Sequence, residues 1–159
     1  MATRDLKREA LLTVLNRTVT EAVAYFARVD ENLSDGHQTA RGVLAHLVFW
    51  HNEYNAILRD MLAERRLDLK VGTFATLNSV ARLKYRYEPM SSLAHRLAVH
   101  QREFETLVRR LPGWSANFPI KHDSRFCCVE ERITEIEAHI RNHVSRLRRA
   151  EQPLETAGR

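Results

Sequence analysis

The chain has 159 residues, 44% hydrophobic and 28% charged, with 25 basic against 20 acidic side chains for a formal charge of +5. That length supports one domain with a core that needs no covalent staples, and five glycines with four prolines favour long helices over a many-stranded sandwich. No apolar run approaches the roughly 20 residues of a membrane span, the opening MATRDLKREALLTVLN is too charged for a signal peptide, and Cys127 and Cys128 are adjacent, which disfavours a disulfide between them; a cytoplasmic protein with reduced thiols is expected.

In chain order, the first helix is expected over residues 3–33, with Thr3 as N-cap and Leu11, Leu12, Leu15, Val19, Ala22, Val23 and Phe26 as its apolar stripe. Ser34-Asp35-Gly36 reads as the turn that ends it. A second helix over residues 39–66 carries Val43, Leu44, Leu47, Trp50, Tyr54, Ile57, Leu58 and Met61 on its inner side, with His46 among them. Residues 67–72 read as a connection, 73–87 as a shorter helix and Glu88-Pro89-Met90-Ser91 as a break. The helix over 91–111 then runs until Pro112-Gly113, and residues 114–126 are irregular, a lid over one end or a simple connection. The last helix, over 129–150, turns Val129, Ile133, Ile136, Ile140, Val144 and Leu147 inward; residues 1–152 form one domain and 153–159 a frayed tail. Four long amphipathic helices and a short extra one give an all-α four-helix bundle, and residues 67–89 are long enough for the chain to cross from one end to the other.

Three of the eight histidines stand out. His139 and His143, at i and i+4, project from one face of a helix, and His46 lies on the apolar side of another; together they match a facial metal site with open positions for water or substrate. A lone histidine on an apolar face is more often a core residue with a satisfied nitrogen, so the joint pattern carries the argument. His37 and His122 fall in a turn and a loop, and His95 and His100 are on different faces of one helix. His51 lies about 140° around the helix from His46. Glu135, one turn before His139, and Glu53, two turns after His46, are candidate catalytic groups; either is equally at home as a solvated or helix-pairing residue. Lys121 and Arg125 could hold an anionic substrate from the loop. Cys127 and Cys128 stand too far from His139 to share its ion, on the order of 16 Å along the helix axis. Arg141, Arg146, Arg148 and Arg149 could bind phosphates, but basic residues also complement a helix C-terminus, and no recognised motif supports a nucleic-acid partner.

Residues 39–50, TARGVLAHLVFW, resemble the start of the second helix in the DinB-like superfamily, where a polar lead-in, an apolar pair, histidine and an aromatic recur. Residues 137–143, EAHIRNH, resemble the family's C-terminal helix, and Leu77-Asn78 with residues 85–97 and 104–111 is similar to its ClbR-like or DfsB-like branch. The resemblance runs from about residue 5 to 150. It implies a four-helix bundle with a long crossover between the second and third helices, a homodimer, and a divalent metal, nickel or zinc, on His46, His139 and His143. It also implies thiol-dependent transferase or isomerase chemistry with a low-molecular-weight thiol such as mycothiol or bacillithiol. One departure stands out: relatives often carry Glu after the aromatic matching Trp50, and this chain has His51.

Two functions follow as expectations. The first is a metal-dependent enzyme, an S-transferase, isomerase or hydrolase acting on a small molecule. The second is a non-catalytic dimeric bundle with a stress-response, regulatory or ligand-binding role, working through the arginine-rich last helix or exposed aromatics near Trp114.

Overall fold

The computed structural model describes residues 2–152; the tail expected to fray, 153–159, lies outside the described residues. Five helices carry the fold: α1 (Ala2–Phe26), α2 (Ala40–Leu62), α3 (Phe74–Lys84), α4 (Met90–Arg110) and α5 (Val129–Glu151). A two-stranded antiparallel pair, β1 (Asn117–Phe118) and β2 (Cys127–Cys128), precedes α5.

The helix interiors match the apolar periodicity, whereas several ends do not. Thr3 lies inside α1 and does not cap it, and α1 stops at Phe26, where the amides of Arg28 and Val29 both turn onto the Tyr25 carbonyl. Asp30 then accepts the Asn32 amide, a side-chain bond that competes with helix continuation. Helix α2 stops at Leu62, before Glu64, whose φ of 53° is left-handed. The stretch expected to be irregular holds one strand of a short hairpin over residues 117–128, with Phe118 opposite Cys127. Trp114 is buried and donates from Nε1 to the Val108 carbonyl at 2.9 Å; Phe118 is buried as well, and Phe126 is the aromatic there that faces solvent. Of the exposed aromatics expected near Trp114, Phe126 is exposed and Trp114 itself is not.

Side-chain pairs fix the direction of each helix. Thr18 bonds Glu137 and Lys7 pairs with Glu130, so α1 and α5 run parallel. Asn16 meets Glu105 and Arg109 meets Glu9, so α1 and α4 are antiparallel. Arg41 reaches the Glu88 carbonyl at 2.7 Å while Arg59 pairs with Glu103, which makes α2 and α4 parallel. Parallel neighbours need a crossover, and residues 63–89 supply it, with α3 running back along α2. Gly42 permits the close approach of α3: a Cβ there would lie 3.2 Å from Arg82 Cδ. The core is a continuous apolar cluster from every helix, in which Leu12, Leu15, Leu44, Leu58, Leu93, Leu97, Phe104, Ile133, Ile140 and Leu147 are fully buried. Among the described residues no helix is long and apolar enough to cross a membrane.

Candidate metal centre

Helices α2 and α5 face each other antiparallel, and the three histidines meet in that seam. Thr39 caps α2, its hydroxyl accepting the Gly42 amide at 3.1 Å, which fixes the first turns from which His46 projects. His139 and His143 come from successive turns of α5. His46 Nε2 lies 3.3 Å from His139 Nε2 and 3.1 Å from His143 Nε2. The three donor atoms all lie within 4.8 Å of one another, so the cluster could hold a metal ion. His46 and His143 are buried, as the apolar stripes suggested, but His139 is exposed and forms the open side of the cluster.

The loop between α1 and α2 supports the cluster from behind. Asp35 accepts the amides of His37 and Gln38, each at 2.9 Å, and Gly36 takes a φ of 94° that suits glycine. Gln38 Oε1 thereby stands 3.1 Å from His46 Nδ1. An amide oxygen can only accept, so the His46 proton is on Nδ1 and the Nε2 lone pair faces the other histidines. Arg146 donates to His143 Nδ1 at 3.0 Å, which places the His143 proton on Nε2, toward that lone pair. Arg146 Nε is also 3.8 Å from Asp35 Oδ2, whose side chain is almost wholly buried.

Electrostatics keep all three rings neutral near pH 7. Burial, then the neighbouring His143 and His139, hold the His46 pKa well below its ordinary value. Burial, then His139 and Arg146, bring His143 down to about 4; although His139 is exposed as a residue, desolvation of its ring followed by Arg146 lowers its pKa as well. Neutral imidazole is the ligating form.

A cavity of about 290 Å³ opens beside His139, walled by Trp50, Tyr54, Phe74, Ile120 and Ile136, with Asn78, Arg132 and Glu135 as its polar lining. Glu135 is heavily engaged: one oxygen pairs with Arg125, and the other accepts from Arg132 at 2.8 Å with Cys127 Sγ at 3.7 Å. Its place at the cavity suits positioning, since both of its oxygens are already tied to neighbouring groups. Glu53 is elsewhere. It is buried, with a carboxyl pKa raised by that burial, its nearest cation is Lys70 at 3.9 Å, and it does not line the cavity. Lys121 is also buried, with Nζ bonded to the His122 carbonyl and 5.0 Å from the centre of the Phe74 ring.

This chain matches no protein-family model, no curated protein and no solved structure. Its site therefore stands on its own geometry. His51 points to the other side of α2, where Nε2 meets Gln101 Oε1 at 2.7 Å, and it takes no part in the cluster. His37, His95 and His122 are exposed, and His122 stands 3.1 Å from Asp123. Both cysteines are free thiols outside the triad. Arg141 pairs with Glu137, Arg148 lies over Tyr25, and Arg146 serves His143, so three of the four arginines at positions 141, 146, 148 and 149 have partners within the bundle. Gln38, Asn78 and Arg132 were not singled out as site residues from the sequence, and Arg146 was read as a phosphate-binding or helix-end cation and not as a partner of His143. Arg146, one turn beyond His143, had a readable spacing; Gln38 lies outside any helix and had none.

Proposed function

We propose that the protein is a metal-dependent enzyme of the DinB-like kind, with His46, His139 and His143 as ligands for nickel or zinc and the adjoining cavity as the substrate site. The observation that carries this reading is the approach of three neutral Nε2 atoms at the edge of a cavity a small molecule can enter. A divalent ion there would supply Lewis acidity and lower the pKa of a thiol or water close to it. The chain's own groups do the rest. Gln38 holds the His46 ring, Trp50 and Phe74 exclude water from the cavity, and Arg132 ties the hairpin to α5 through the Phe118 carbonyl at 3.0 Å. Three uncharged ligands leave the ion's charge uncompensated, which favours an anionic co-reactant such as a low-molecular-weight thiolate.

Thiol-conjugation assays with mycothiol, bacillithiol and glutathione, with and without added zinc or nickel, test this. Turnover that needs both ion and thiol and disappears in His139→Ala is the expected result. Stoichiometric metal without turnover on any thiol or hydrolytic substrate would move the reading to a non-catalytic, ligand-binding bundle. The resemblance also carries a homodimer and a cytoplasmic setting into this proposal, and sedimentation equilibrium giving twice the 18.5 kDa chain mass would support the dimer.

A further inference from the structure

We propose that the cavity beside the triad takes a small monoanion with a flat apolar body, its charged group bonded by Asn78 and attracted by the charge of Arg132. This deepens the reading above by naming the substrate class, and it rests on cavity groups distinct from the metal ligands.

Asn78 supplies the first observation. Trp50 Nε1 donates to Asn78 Oδ1 at 2.7 Å, and indole nitrogen can only donate, so the orientation of the amide is settled and its NH2 group is left as the cavity's donor. Arg132 supplies the second. It lines the cavity, is 5% exposed, and spends two nitrogens on Glu135 and on hairpin carbonyls, yet its buried Nε has no partner. That Nε is sealed from the cavity, so what a ligand there meets is the charge of the guanidinium, which at a buried site favours an anion over a neutral group. Charge supplies the third. Lys121, Arg125 and Arg132 surround this wall against the single carboxylate of Glu135, already shared by the two arginines.

A cationic ligand would also suit aromatic walls, but Lys121 already occupies a face of Phe74, and the arginines would repel a second cation. The size sets the rest. A cavity of about 290 Å³ lies at the lower edge of the range for small-molecule sites, and Trp50, Tyr54 and Phe74 offer ring surfaces that suit a planar body better than a branched one.

Calorimetric titration of metal-free protein with benzoate, benzamide, benzylammonium and acetate tests the proposal. Benzoate should bind about tenfold or more tighter than the other three. Asn78→Asp keeps the acceptor for Trp50 but replaces the free donor with a carboxylate; it should lose benzoate at least about tenfold while keeping the helical circular-dichroism signal and the zinc affinity. Acetate equal to benzoate, a preference for benzylammonium, or Asn78→Asp indistinguishable from the parent would overturn it. Benzoate binding that requires zinc and ignores Asn78→Asp would also overturn it while leaving the metal site standing. Benzoate binding dependent on Asn78, in a protein that binds no zinc, would sustain it and remove the metal.

Discussion

His46 and His143 carry their protons at opposite corners of the ring, and the partners responsible differ in kind. Gln38 accepts from His46 Nδ1 and so prepares its Nε2 to ligate; Arg146 donates to His143 Nδ1 and so holds its proton on the ligating nitrogen. Loading an ion through His143 requires that proton to move to Nδ1 and Arg146 to turn away toward Asp35. Two opposite mutational effects are expected, both read by zinc titration against a chelating indicator. Gln38→Ala should weaken zinc about tenfold, whereas Arg146→Gln, whose amide oxygen can accept from Nδ1, should tighten it by a similar factor. Weaker binding in Arg146→Gln would show that the arginine supports the ligand set. The three clustered histidines were legible in the sequence because the pattern H-x-x-x-H puts two side chains on one helix face and His46 falls on an apolar stripe. Gln38 and Asn78 were not, because each acts through one hydrogen bond made across elements, and nothing in the local sequence announces it.

Helix α2 presents histidines to two different neighbours. His46 faces α5, and His51 faces α4, where it begins a chain of bonds, buried at Gln101 and partly exposed beyond it, through Asn16 to Glu105. Burial brings the His51 pKa down to about 4. Its unfolded value is near 6.5, so the unfolded chain binds the proton first as pH falls, and stability is complete above about 6.5 and declines through 4. That window corresponds to about 3 kcal/mol for this one group. Chemical denaturation of metal-free protein should accordingly lose stability between pH 6.5 and 4, and His51→Gln should flatten the loss by up to about that amount. Equal slopes in the two proteins would mean that other groups carry the acid sensitivity. The helical stripes were readable because period and burial agree. The end of α1, the end of α2 and the two-residue strands were not, since each is decided by a few hydrogen bonds at a turn and has no period to detect.

Across the whole molecule the bundle is closed on three sides by continuous apolar packing, while the α2–α5 seam is held largely around the histidines and the cavity. The crossover through residues 63–89 makes α2 antiparallel to α5, which brings a histidine in the first half of α2 against two around the middle of α5. An ion shared by these helices should stabilise the entire fold. At a zinc concentration of about 100 times Kd, linkage gives about 3 kcal/mol, or roughly 5–10 °C in Tm for a chain of this size, and His139→Ala should show no such shift. The sequence foretold the bundle because length and periodicity suffice for it, but it left the cavity blank. That space depends on how α3 and the hairpin lie over α2 and α5, which no single segment encodes.

Elemental analysis of protein purified without a histidine tag, alongside His139→Ala prepared identically, bears most directly on the metal centre. One divalent ion per chain in the parent and essentially none in the variant is the expected result. No stoichiometric ion in the parent, together with an affinity for added nickel or zinc that His139→Ala leaves unchanged, would contradict it.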